Sequence, residues 1–557
     1  MSLAPQTAAE ALLLRLKAHG VDTLFANGGT DFASIIEAYA RAGDGGAFPE
    51  PLVMPHETAA VAMAHGRYLM TGRPQAVMAH VTVGLANCVM GVINAAADNV
   101  PLLIMSGKTP ITEGSRPGAR DVPIHWGQDL RDVSAMVRSA CKWEYELRYG
   151  EEVEAVIDRA LAIAMTEPRG PVYLALPREP LAELMPPGSA NTPMRAAVSP
   201  AAHPDPAALD AAAAALAAAT RPVVISGRGD PEGAVAAALT ALVEHAGVPV
   251  IEFWPTRNVL ASDHPLHAGF EAAPFLAEAD VVLVVDALVP WIPNKVKLRE
   301  DCTVIQLGAD PLFGRFPVRG FPVDIAVAGA PAAALQGLMA RIAERRAAGD
   351  MAAAGFAADR ASRAAKALEA TSPMTPAFVS GAVSKAIGRD GVVVNELGVQ
   401  PAYLTIGGPN RFFGHSLSAG LGWGFPAALG MAHADRSRLV AACVGDGSYM
   451  FANPVACGQI AEALGLPILV VVMHNGIWNA VRRATLSLYP DGQAARANAM
   501  AITSLEPAPD FALVARANRG WSERVDDPAR LAGALAEAVT VIRSEGRMAT
   551  VEVMVGY

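Results

Sequence analysis

An aspartate between two glycines, Gly445-Asp446-Gly447 with Ser448 behind it, is followed 29 residues later by His474-Asn475-Gly476. Each motif closes an apolar, β-branched run, residues 438–444 before the first and 467–473 before the second. The stretch between them, 453–464, is alanine-rich with helical spacing. The pattern predicts strand, tight turn, helix and strand, a single βαβ unit whose two strands end on the same sheet edge. Asp446 and Asn475 can then converge on one ion. A carboxylate and an amide oxygen suit Mg²⁺, which fills its remaining positions with water and phosphate oxygens. Gly447 and Ser448 open the helix, where free N–H groups and the dipole favour an anion. The residues therefore read as a Mg²⁺–diphosphate site, although a lone Gly-Asp-Gly is usually no more than a turn.

These motifs resemble the signature of the thiamine diphosphate (ThDP) enzymes, in which GDG is followed by a spacer and an asparagine. The spacer here is slightly longer than in the commonest members, and His474 replaces the usual first asparagine. The resemblance implies Mg²⁺ held by Asp446, Asn475 and the backbone carbonyl of Ile477, with Gly445, Gly447 and Ser448 on the diphosphate. A second match supports it. Glu57 follows a strand-like run, 51–54, and begins a helix of small residues, 58–64, that would bury it. Residues 55–66, Pro-His-Glu-Thr-Ala-Ala through Ala-His-Gly, resemble the family's catalytic-glutamate helix, whose carboxyl hydrogen-bonds the aminopyrimidine ring. A zinc-protease HExxH is excluded, because residue 60 is alanine. Taken alone, Glu57 would be a helix-start carboxylate stabilised by the dipole.

Further residues carry over by motif. Gly420-Leu421-Gly422-Trp423 resembles the segment that bends thiamine, with Leu421 as the wedge and the Ala419 carbonyl facing the 4′-amino group. Asn395 and Gly398, at the end of a strand, would meet the diphosphate. Thr30, in Asn27-Gly-Gly-Thr-Asp31, stands where benzoylformate decarboxylase has a substrate-contacting serine. His80 matches that enzyme's proton-handling histidine, and an imidazole with a pKa near ~6.5 suits the task. Without the match, His80 would read as a strand-end histidine bonded to backbone. Gln128 falls where synthases carry a glutamine facing the adduct. Residues 289–294 lack the second active-site histidine of benzoylformate decarboxylase, and His125 stands alone where pyruvate decarboxylases carry a pair. His415 and His474 remain as substitutes.

The chain has 557 residues, 52% of them hydrophobic, and a net charge of −10 with no basic run, which argues against nucleic acid as a partner. Five cysteines lack metal-site spacing and suit a reducing compartment. Neither a signal peptide nor a membrane span is legible, so a cytoplasmic location is expected. Strand-like and helical runs alternate throughout, which predicts an α/β fold of doubly wound parallel sheets. Linker-like residues 186–193 and a helical crossover at 343–372 divide the chain into segments 1–186, 195–345 and 373–557. Their order resembles the pyrimidine-binding, central and diphosphate-binding domains of the ThDP superfamily. Ser226-Gly-Arg-Gly-Asp230 in the central segment lacks GxGxxG spacing, so a nucleotide loop there is weakly signalled.

The resemblance implies a homodimer at least, and a homotetramer, because Glu57 of one subunit would meet Asp446 of another. It further implies non-oxidative decarboxylation of a 2-oxo acid through a ThDP enamine, with carboligation as a possible outcome for that enamine. An acetolactate-synthase-like carboligase is the alternative. A nucleotide-dependent oxidoreductase or a silent ThDP-fold protein ranks below both.

Overall fold

The computed structural model describes residues 5–43, 45–186, 194, 197–343 and 346–556, with backbone only for 346–354. The linker-like residues 187–193 lie outside the described residues. Among the described residues, eighteen strands form three six-stranded sheets, and every strand pair within them is parallel. The expected α/β architecture of parallel sheets is thus observed. Central strands are continuous apolar runs because helices cover both faces of a parallel sheet.

The first sheet contains β1 (Thr23–Ala26), β2 (Glu50–Val53), β3 (Gln75–Ala79), β4 (Leu102–Lys108), β5 (Glu144–Glu146) and β6 (Val172–Pro177), in the order β2-β1-β3-β4-β6-β5. The second contains β7 (Pro222–Ser226), β8 (Val250–Ile251), β9 (His267–Gly269), β10 (Val281–Val285), β11 (Thr303–Gly308) and β12 (Ile325–Ala328), ordered β12-β11-β10-β7-β8-β9. The third contains β13 (Val392–Glu396), β14 (Phe412–Gly414), β15 (Val440–Gly445), β16 (Leu469–His474), β17 (Trp521–Val525) and β18 (Ala549–Met554), ordered β14-β13-β15-β16-β18-β17. Counted from its own first strand, the third sheet repeats the order of the first. Its βαβ unit is the expected one: β15, helices Asp446–Phe451 and Pro454–Ala463, then β16.

The chain folds into two compact units. One comprises Met1–Ala202 together with Ser416–Ala434, and the other His203–His415 with Asp435–Tyr557. In the first unit the helix Glu57–Thr71 packs against the helix Gly424–Ala434 at backbone distance. A Cβ at Gly430 would lie 1.9 Å from the Met63 carbonyl oxygen, and one at Gly66 would lie 2.1 Å from that of Ala427. Only hydrogen fits at either crossing point. In the second unit, the alanine-rich tract near 207–219 is the helix Pro206–Ala218, capped by Asp205 accepting from the Ala208 N–H. The crossover at 343–372 contains the helix Arg346–Lys366.

Candidate active site

In the first unit, four chain segments leave the carboxyl edge of the first sheet beside one another. After β1 the chain makes a 3₁₀ turn, Thr30–Phe32. Thr30 is exposed at its start, whereas Asp31 turns inward and is buried. Asp31 Oδ1 lies 2.5 Å from His80 Nδ1, and its Oδ2 accepts the Val81 N–H at 3.3 Å. His80 follows β3 directly and caps the helix Val81–Ala97. Its Nε2 lies 3.2 Å from Gln128 Nε2, and the Gln128 carbonyl accepts from Thr82 Oγ1. The hydrogen bond to Asp31 holds His80 above the ordinary histidine pKa, against the opposing effect of burial, and the Glu57 carboxylate adds to the rise.

Glu57 is the first residue of its helix, capped by His56, whose side chain accepts from the Thr58 N–H. It is buried, and its Oε2 accepts from Asn87 Nδ2 at 3.1 Å. A Cβ on Gly84 would sit 3.0 Å from its Oε1, so the carboxyl lies in a closely fitted slot.

Asn94, buried on the Val81–Ala97 helix, was not foreseen. Its Nδ2 donates to the Gly420 carbonyl at 2.9 Å, while its Oδ1 accepts from the Gly420 N–H at 3.1 Å and from Ser418 Oγ at 2.6 Å. This clamp holds the turn containing Ala419, whose φ of 55° lies in the left-handed region that L-residues avoid. Leu421 follows, half-buried. The available signal for Asn94 was an amide within the apolar second half of the helix, residues 88–97.

In the second unit, Asp446 is buried at the start of the helix Asp446–Phe451. Its Oδ1 accepts the Gly447 N–H at 2.8 Å, and its Oδ2 accepts those of Asn475 and Gly476 at 3.1 and 2.7 Å. Asn475 Oδ1 accepts the Ile477 N–H at 3.0 Å, and the Ile477 carbonyl accepts from Asn479 at 2.8 Å, which leaves it a second lone pair. Gly447 is closely covered: a Cβ there would meet the Trp478 ring at 2.2 Å. Gly445 ends β15 and Ser448 is buried behind it. Asn395 Oδ1 accepts the Val399 N–H at 2.9 Å, and Gly398 packs against the Cys443 backbone. The structure thus brings Asp446 and Asn475 together as the βαβ reading required.

His474 does not serve as an open histidine. It is buried at the end of β16 with Nδ1 2.7 Å from Glu552 Oε1, a contact that raises its pKa, and its ring lies against Phe511. His415 lies edge-on to Trp254, with ring centroids 5.7 Å apart, and burial lowers its pKa.

No group of three or more His, Cys, Asp or Glu among the described residues could hold a metal. The donors at the Asp446 loop are instead one carboxylate, one amide oxygen and a carbonyl. That set fits a hard cation completed by phosphate and water.

Three family models match in sequence order: the thiamine pyrophosphate enzyme N-terminal TPP binding domain over residues 6–136, the central domain over 209–338, and the C-terminal TPP binding domain over 398–553. The chain belongs to the thiamine pyrophosphate enzymes. Among its relatives in this family is a probable 2-ketoarginine decarboxylase of Pseudomonas aeruginosa, 28% identical over 92% of this chain and 88% of the relative. Another is a probable acetolactate synthase of Mycobacterium bovis, 25% identical over 94% and 92%. The ThDP-dependent 4-hydroxybenzoylformate decarboxylase of Rhodococcus jostii RHA1 shares the fold, with a TM-score of 0.81, 22% identity and 99% coverage of both chains. Decarboxylases and synthases thus both occur among the ThDP-enzyme relatives. No helix among the described residues is long and apolar enough to cross a membrane.

Proposed function

We propose that this thiamine pyrophosphate enzyme is a ThDP- and Mg²⁺-dependent lyase that decarboxylates a 2-oxo acid without oxidation. The observation that carries the reading is an ionisable imidazole, His80, at the same sheet edge as the buried carboxyl of Glu57. When bound, ThDP supplies the carbon nucleophile and electron sink that loss of CO₂ requires. Glu57 would hold a proton at the aminopyrimidine. Asp446, Asn475 and the Ile477 carbonyl would hold Mg²⁺, and Gly445, Gly447, Ser448, Asn395 and Gly398 would border the diphosphate. Ala419 and Leu421 would orient the thiamine. His80 would take or give a proton at Nε2, with Gln128 beside it and Thr30 at the rim.

Gln128 favours a second reading, a carboligase in which a second carbonyl compound is joined to the product carbon. A neutral amide beside His80 can hold an acceptor as readily as a leaving aldehyde. The assembly would be at least a homodimer, and a homotetramer by family pattern. The unpaired thiols, three of them buried, suit the cytoplasm.

Mass-spectrometric product analysis with ThDP, Mg²⁺ and a panel of aliphatic and aromatic 2-oxo acids, with and without added aldehyde, tests both readings. Aldehyde alone supports the lyase and a joined product the carboligase. No turnover of any 2-oxo acid would reject both.

A further inference from the structure

The environment of His80 assigns a role to a residue that the motif reading passed over. Asp31 Oδ1 faces His80 Nδ1 at 2.5 Å; the Asp31 side chain is 2% exposed and that of His80 18%. One ring nitrogen therefore meets a buried carboxylate, while the other faces the Gln128 amide. Space for this pair is cut from the surrounding backbone by two glycines. A Cβ on Gly107, in β4, would lie 1.5 Å from Asp31 Oδ2, and one on Gly29 would lie 2.0 Å from His80 Nδ1. Neither position tolerates a side chain while the carboxylate and ring stay where they are. The Val81 N–H, donated to Asp31 Oδ2, ties the carboxylate to the helix that His80 itself caps.

We propose that Asp31 is the positioning residue for proton transfer at this site: it takes the Nδ1–H of His80 and so leaves the Nε2 lone pair free to accept and return a proton. The inference rests on the 2-oxo-acid reading for what the proton is used for, but the Asp31–His80 linkage stands on geometry alone. Which imidazole nitrogen carries the proton is set by the hydrogen bond at the other. A neutral His80 with Nδ1–H on Asp31 accepts from the Gln128 amide at Nε2, the arrangement seen at 3.2 Å. When Nε2 takes a proton, the imidazolium lies against the Asp31 carboxylate, as in a Ser-His-Asp array. The charged groups facing His80 are Asp31, from the turn after β1, and Glu57, from the helix after β2. Both stabilise the protonated ring, and Asp31 dominates. Gln128 Oε1 has no hydrogen-bond partner among the described residues, so it is available to an incoming polar donor.

The test uses cofactor-free, full-length protein carrying [¹⁵N]histidine, with the His80 signals identified by their loss in His80→Gln. In the wild type above its pKa, His80 should show the Nδ1–H tautomer; the Nε2–H tautomer would overturn the proposal even if Asp31→Asn does not fold. In Asp31→Asn, close in shape and without the charge, the His80 titration should move to lower pH, and an unmoved titration overturns the linkage. With ThDP, Mg²⁺ and a substrate found by product analysis, the limb of the kcat pH profile assigned to His80 should move in the same direction. A shifted His80 titration with an unchanged kcat profile would remove Asp31 from the reaction. Failure of the 2-oxo-acid reading itself shows separately, as absence of turnover by the wild type, and leaves the spectroscopic result intact.

Discussion

Asn94→Ala isolates the contribution of the clamp to cofactor binding. Removing the amide leaves the Gly420 N–H, the Gly420 carbonyl and the Ser418 hydroxyl without their present partner. Ser418 is exposed and keeps Ser416 Oγ at 3.1 Å, so the cost rests on the two half-buried backbone groups of Gly420, about 3 kcal/mol at roughly 1.5 kcal/mol each. Two effects reduce that figure. Ala419 at a φ of 55° stores about 1–2 kcal/mol that a relaxed turn recovers, and water can enter the space the amide leaves. The net effect expected is therefore about 1–2 kcal/mol. If the turn must regain its present shape to hold thiamine, this becomes a roughly tenfold weaker ThDP affinity, since about 1.4 kcal/mol is a factor of ten. Isothermal titration of apo-protein with ThDP at saturating Mg²⁺ measures it, and Trp423, two residues beyond Leu421, offers a fluorescence signal for the same titration. A dissociation constant within twofold of wild type, whatever the thermal midpoint, would refute the claim that Asn94 shapes this turn for the cofactor.

Glu57→Gln should keep ThDP affinity near wild type and remove most turnover; steady-state rates equal to wild type would dismiss the assigned role. Asp446→Ala should abolish the Mg²⁺ dependence of ThDP binding, and an unchanged titration would reject the metal assignment. Gly430→Ala places a methyl group 1.9 Å from the Met63 carbonyl oxygen, so an overpacking loss of about 1–3 kcal/mol is expected. A thermal midpoint at or above that of wild type would contradict the close helix crossing.

The parallel α/β character of the chain was legible because buried strands are short apolar runs bounded by glycine and polar turns. Residues 222–226 and 281–285 are strands with those limits. The pairing of Asp446 with Asn475 was legible for a related reason, since one βαβ unit fixes both ends with local sequence alone. Asp31 and Asn94 were not. Asp31 sits in a Gly-Gly-Thr-Asp loop where a carboxylate reads as a helix-start charge, and only the return of β3 beside β1 brings His80 to it. Asn94 depends on a segment more than 300 residues away. Periodicity carries no information about contacts of that range. At the serine position to which the family match points, Thr30 is exposed, and its neighbour Asp31 is the residue turned inward.

The discontinuity of the first unit bears on synthesis in the cell. Its two pieces are separated by residues 203–415. At about 5–20 residues per second, roughly ten to forty seconds pass between translation of Ala202 and of Ser416. Throughout that interval the face of the helix Glu57–Thr71 that receives Gly430 and Ala427 has no cover from its native partner. A ribosome-bound or truncated chain ending near residue 202 would display that alanine-rich surface to chaperones or to other nascent chains. Expression of the N-terminal piece alone should therefore yield aggregate, and supplying residues 416–434 on the same polypeptide is the simplest route to a soluble fragment.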